Sequence, residues 1–220
     1  AGAPIACRAS ASVVAATASR GASGWRFFAA TTAGTVEVLD EHGQLVAWWS
    51  SPASTSIESL TATADGAFVC VIAAAGPQHE VVVLDGAAQE RFRVGLEAGA
   101  RPLCAAFGPR DGLLALSASD RTLHVVDPRG HEGRDCSQRT LSTGFYLADE
   151  LVWSRDGRTL FTRPNGQFAH AWHVFGAPDL PVAPNARALD ARISADGNAL
   201  VWATTQGTLE TAPLDAIAER

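Results

Sequence analysis

The sequence predicts an all-β fold of about five successive four-stranded units, and three observations predict it. Asp-Gly turn signals recur at Asp65-Gly66, Asp111-Gly112, Asp156-Gly157 and Asp196-Gly197, with glycines 46, 45 and 40 residues apart. Each is followed by a short apolar run of strand composition, a second turn and another strand. Most of those later strands end on an apolar residue and an aspartate: Asp40, Asp85 and Asp127, spaced by 45 and 42 residues, and Asp215. Turn chemistry recurring every 40 to 50 residues marks a repeated supersecondary unit.

The first unit, near residues 12–54, opens with Ser12–Thr17 and continues through Trp25–Ala30, the turn Ala33-Gly34 and Val36-Glu37-Val38-Leu39-Asp40. Its fourth strand is Gln44–Trp49. The second, 55–99, places the run Ala67–Ile72 after Asp65-Gly66, because Gly supplies the positive φ that a tight hairpin needs. The turn Ala75-Gly76-Pro77, the strand ending at Asp85 and the weaker strand Arg91–Val94 follow. The third, 100–143, runs through Leu113–Leu116, the turn Ser119-Asp120-Arg121 and Val125-Val126-Asp127. The fourth, 144–186, has Thr159-Leu160-Phe161 and Pro164-Asn165-Gly166, but Val174-Phe175-Gly176 replaces the apolar-Asp ending. The fifth, 187–220, has Ala199–Trp202 and Thr205-Gln206-Gly207 and ends without a fourth strand, Ala216–Arg220 reading as a helical tail. Residues 1–11, through Ile5–Arg8, are expected to supply that strand. The other arrangement is a larger propeller completed by further chain or by a partner. Four-stranded units at this period are what propeller blades look like, since one blade cannot cover both of its faces alone.

The chain resembles a divergent β-propeller of the WD-repeat or YVTN type over nearly its whole length. Ser154–Phe161 is similar to the Ser-Pro-Asp-Gly-Arg-x-Leu segment of YVTN-like repeats, and the apolar-Asp endings stand where WD-repeats carry Trp-Asp. No Trp-Asp dipeptide occurs, and Gly130-His131 falls too soon after Asp127 to serve as the Gly-His pair. The resemblance implies one propeller domain over 1–220.

Composition narrows the function classes. With 47% hydrophobic and 18% charged residues, the chain is globular. A net charge of -6 argues against direct nucleic-acid contact, which needs surplus cation. No apolar stretch approaches the length of a membrane span. All 17 basic residues are arginine, so neither a Schiff-base lysine nor a phosphate-loop lysine exists. Alanine-rich residues 1–36 contain no acid, a composition shared with transit peptides, although Ser12–Thr17 reads first as a strand. An intracellular compartment is favoured, with an organelle left open. Cys7, Cys70, Cys104 and Cys136 form no Cys-x-x-Cys pair, and Cys70 and Cys104 read as buried small hydrophobes.

Catalytic motifs are missing: the sequence has no nucleophile elbow and no dinucleotide or phosphate loop. His170 and His173 fall on a predicted strand, where residues three apart face opposite ways, so no metal or other cofactor is expected. The repeated Asp65, Asp111, Asp156 and Asp196 read as turn residues accepting local backbone hydrogen bonds. Two functions remain. The favoured one is a non-catalytic protein-interaction scaffold, a subunit binding other protein subunits. Its contact candidates are Trp48 and Trp49, neighbours of which one indole packs and the other faces out. Trp25, Trp153 and Trp202 are expected in the core. The alternative is a channel-site hydrolase for a sugar or lactone, using carboxylates near the starts of first strands: Glu58, Asp149 or Glu150, and Asp190.

Overall fold

A computed structural model describes residues 9–22, 24–51, 55–110, 112–130, 138–142, 147–148, 150–163, 170–173, 180–181, 188–194, 199–204 and 208–213. Every regular element among them is a strand. The chain divides into two compact units, Ala1–Pro102 and Leu103–Arg220.

The first unit holds two sheets. Sheet 1 comprises β1 (Val13–Gly21), β2 (Gly24–Thr31), β3 (Thr35–Leu39) and β4 (Leu45–Ser50). Sheet 2 comprises β5 (Ser56–Ala62), β6 (Phe68–Ala75), β7 (Gln78–Asp85) and β8 (Glu90–Val94). In the second unit, sheet 3 is β9 (Pro102–Phe107), β10 (Leu114–Ala118), β11 (Thr122–Val126) and β12 (Gln138–Ser142). Sheet 4 is β13 (Glu150–Trp153), β14 (Thr159–Arg163), β15 (His170–His173) and β16 (Leu180–Pro181), and sheet 5 is β17 (Ala188–Ile193), β18 (Ala199–Thr204) and β19 (Leu209–Pro213). In each sheet the spatial order follows the chain order, with antiparallel neighbours. The fold is therefore all-β, with four four-stranded sheets and one described with three strands.

Two turns recur because the same side chains cap them. In sheet 2, Thr63 N–H donates to Phe68 O at 3.0 Å, while Thr63 Oγ1 accepts from Phe68 N at 3.0 Å and donates to Asp65 Oδ1 at 2.7 Å. Asp65 Oδ1 also accepts from Ala67 N at 3.0 Å, and Gly66 takes φ 69°. Sheet 4 repeats this with Ser154, Asp156 and Gly157. Sheet 5 keeps the Ser194–Ala199 pair of bonds. The apolar-Asp endings form the other turn. Asp40 Oδ1 accepts from the amides of His42 and Gln44, and Asp85 Oδ1 from those of Ala87 and Gln89, all at 2.9–3.0 Å. Asp127 Oδ1 accepts from Arg129 N at 2.9 Å. Asp40, Asp85 and Asp127 thus occupy the same place in successive sheets, at the end of the third strand.

These turns fix which side chains share a face. Sheet 1 directs Phe28, Ala30, Val36, Val38 and Trp49 into one buried cluster with Ile57, Val69, Val71, Val82 and Leu84 of sheet 2. Strand β6 is buried along its centre on both faces, which is why Val-Cys-Val-Ile-Ala reads as a continuous apolar run. Each fully buried Val or Leu there contributes roughly 1.5–3 kcal/mol relative to exposure. Arg26 Nη1 bonds Gly86 O at 2.7 Å across the two sheets, and a Cβ at Gly86 would collide with Gly66 O, so only glycine fits. The second unit has a like cluster of Ala115, Leu123 and Val125 from sheet 3 with Leu151, Trp153 and Leu160 from sheet 4.

Trp25 departs from its expected core position: it is 44% exposed. It lies near the start of β2 on the face turned away from sheet 2, opposite Arg20 of β1. Trp153 is buried, with Nε1 donating to Ala106 O at 3.0 Å. Trp202 lies on β18, but its side chain is outside the described residues, as are Cys7, Cys136, Asp111, Asp149, Asp196, residues 1–8 and the expected tail 216–220.

Candidate functional site

Strand β4 is the last of sheet 1, and its pleat sends successive residues to opposite faces. Trp49 stands opposite Val36 and is 8% exposed, packed in the core with Phe28 and Val38. Across the sheet-to-sheet interface it reaches Glu90. The Arg93 guanidinium is the main cause holding the Glu90 carboxyl below its usual range, with a hydrogen bond from Trp49 adding to it. Trp48 stands opposite Glu37 and is 61% exposed, beside Leu45 and Val46, each 55% exposed. The strand therefore has one indole anchored and one presented.

The face bearing Trp48 contains a side chain that sequence reading passed over. Glu37 is a carboxylate only 4% exposed in the middle of β3. It accepts the Ser10 amide at 3.2 and 3.1 Å and also the Ser10 hydroxyl. The signal available in the sequence was an acid flanked by two valines whose own side chains bury. Around it lie Ala16, Ala18, Ala29, Phe27 and Leu39, which with Ala9 border a shallow apolar cavity of about 340 Å³. At the end of the same face the Arg20 guanidinium sits 6.0 Å from the centre of the Trp25 ring, a cation–π distance.

The three carboxylates of the hydrolase alternative are placed as follows. Glu58, on β5 in the first unit, is already engaged: its Oε1 lies 3.2 Å from the Arg101 guanidinium Nη2 and 3.7 Å from His79 Nε2. Glu150 opens β13 in the second unit, with Arg163 opposite it on β14. Asp190 lies on β17, also in the second unit, at an irregularity in its pairing with β18; its side chain is outside the described residues. His170 and His173 sit on one strand, β15, opposite Thr162 and Thr159. Among the described residues no group of three or more His, Cys, Asp or Glu could hold a metal ion. Among the described residues there is no helix long and apolar enough to cross a membrane.

The cysteines that are described are free thiols. Cys70 is buried in β6, and burial pushes its thiol up to about 12. Half-buried Cys104 contacts Ser117 Oγ at 3.1 Å. Comparison with known protein families and with curated proteins finds no match for this chain.

Proposed function

We propose that this chain is a non-catalytic, WD-repeat-like β-propeller subunit with five blades, acting as a scaffold for protein–protein interaction in a larger assembly. The observation that carries the reading is Trp48, 61% exposed on a terminal strand whose other indole is locked in the core. A large aromatic beside two exposed aliphatic residues, held by a rigid strand, is the anchor that protein interfaces use. Trp49 supports the presentation through its packing in the core. The recurring Asp40, Asp85 and Asp127 turns and the meandering sheets support the blade assignment. The hydrolase alternative gains no observation of its own, since Glu58 is already engaged by Arg101 and His79.

The test is site-specific photo-crosslinking from position 48 in cells, with a second probe at exposed Arg91 as control. Crosslinks to discrete proteins from position 48, lost when Leu45 and Val46 are changed to Ser, support the reading. Equal, diffuse labelling from both positions overturns it.

A further inference from the structure

Sheet 1 ends on β4, and the register of β4 with β3 decides which of its backbone groups are used. Ser51 N–H donates to Gly34 O at 3.2 Å. Val36–Trp49 and Val38–Ala47 are therefore the hydrogen-bonded pairs, and Thr35–Ser50 and Glu37–Trp48 the pairs that alternate with them. The N–H and C=O of Trp48 and Ser50 thus point away from β3. No described strand lies beyond β4 to pair with them. Sheets 1 and 2 pack through their faces, and packing of that kind leaves this edge open in a closed ring of blades as well.

An unpaired edge is ordinarily blunted by charge, proline, shortness or a bulge. Strand β8, which ends sheet 2, uses charge. Counting from Asp40 and Asp85, Leu45, Val46 and Trp48 of β4 correspond to Glu90, Arg91 and Arg93 of β8. Arg93 is tied there to Glu90 and Glu80 at 2.8 and 2.6 Å. The terminal strands of sheets 3 and 4 carry Arg139 in β12 and Pro181 in the short β16. Strand β4, Leu-Val-Ala-Trp-Trp-Ser, has neither a charge nor a proline. It shares a bulge with β8, at Val46 and at Arg91, but from Ala47 to Ser50 its pairing is regular. Buried Trp49 fixes this run to the core, so the edge is already ordered for binding. Beside it, Trp48 and Val46 are 61% and 55% exposed.

We propose that this chain binds its partner by strand addition, an extended segment of another protein pairing its backbone with the free edge of β4. Only an extended backbone offers donors and acceptors at the repeat set by Trp48 and Ser50. The segment has no proline where it meets those residues. It places an apolar side chain beside Trp48, because side chains directly opposite on neighbouring strands touch. Backbone pairing supplies affinity, and the contact with Trp48 selects the sequence. The inference rests on the reading of Trp48 as a contact residue and gives its mode of binding.

Photo-crosslinkers at position 48 and, in separate chains, at position 50 test it, with the labelled residues of the bound protein mapped by mass spectrometry. Strand addition expects both positions to label one segment at alternate residues, because side chains on one face of a strand recur with a period of two. Ser50→Pro is the matching variant. It removes an outward N–H and no bond to β3, a place where edge strands accept proline. Labelling from position 48 should fall about tenfold, through loss of one backbone bond and the carbonyl it leaves unpaired. Ser50→Ala keeps that N–H and should lose far less. Circular dichroism checks that both variants fold, and if Ser50→Pro does not, the spacing of the labels decides alone. Labels scattered over the bound protein, or equal labelling with Ser50→Pro and Ser50→Ala, overturn strand addition and leave the scaffold reading standing. Labels confined to a second copy of this chain overturn it as well. Diffuse labelling from position 48 removes the scaffold reading and strand addition together.

Discussion

Replacing Thr63 with Val removes one hydroxyl and almost no volume, and that hydroxyl is the centre of the turn between β5 and β6. Thr63 is 3% exposed, accepts from Phe68 N at 3.0 Å and donates to Asp65 Oδ1 at 2.7 Å. A neutral intramolecular hydrogen bond contributes about 1 kcal/mol, and one to a charged group about 1.5–3 kcal/mol. Asp65 is exposed, so the second value belongs at or below the low end. The sum is roughly 2 kcal/mol, most of it desolvation of a Phe68 amide left without its acceptor. For a chain of this size that corresponds to a Tm lowered by about 4–8 °C. The assay is thermal and urea unfolding of Thr63→Val beside Thr63→Ser, which keeps the hydroxyl and should lose well under half as much. Ser154→Ala, at the matching turn of sheet 4, should behave like Thr63→Val. Equal stability of Thr63→Val and Thr63→Ser would refute the reasoning and assign the turn to its backbone bonds alone.

Arg121 adopts φ 68° where the corresponding turn of sheet 1 has Gly34 at φ 73°, so Arg121→Gly should raise the urea midpoint by roughly 0.5–1 kcal/mol in stability. An unchanged or lower midpoint would count against strain at that residue. Burial works against the Asp156 charge, but bonds from Ser154 and the Arg158 amide outweigh it and hold the carboxyl below its ordinary 3.8. A depressed folded value means its stabilisation is present above 3.8 and disappears as pH falls through the folded value. The stability gap between wild type and Asp156→Asn should therefore be flat near neutrality and close in acid, and a gap that widens in acid would contradict this. Cys70, with its thiol raised to about 12 by burial, should react with iodoacetamide only as fast as the first unit opens. Mapping that site by mass spectrometry in native buffer would show rapid labelling if the thiol were accessible.

Turns were the most legible part of the molecule, because Asp and Gly carry their geometry in their own chemistry. Asp40, Asp85 and Asp127 announce the end of a third strand, and each accepts amide bonds from the residues that follow it. The strand run Val36–Asp40 was legible too, and in the structure Val36 and Val38 are buried on one face of it. What sequence could not give was which faces are covered. Trp25 shares an apolar run with Phe28, yet the pleat sends Phe28 to the sheet 2 interface and Trp25 the other way. Glu37 was invisible as a buried group because its partner, Ser10, is 27 residues distant and belongs to no motif. The carboxylates proposed for a hydrolase were legible only as positions on strands. Their partners, such as Arg101 for Glu58, come from chain 43 residues away.

Strand order following chain order in every sheet has a consequence for synthesis. Among the described strands none waits for a distant partner, so sheets 1 to 4 can complete their described hydrogen bonding soon after their last strand leaves the ribosome. The face of sheet 1 that packs on sheet 2, however, stays uncovered until sheet 2 is made. The vulnerable interval for sheet 1 is the time needed to translate through Val94, during which Phe28, Val36, Val38 and Trp49 lack the surface that buries them. Clustered slow codons placed just after sheet 1 would lengthen that exposure, and placed after Val94 they would give sheets 1 and 2 time to close before the second unit emerges.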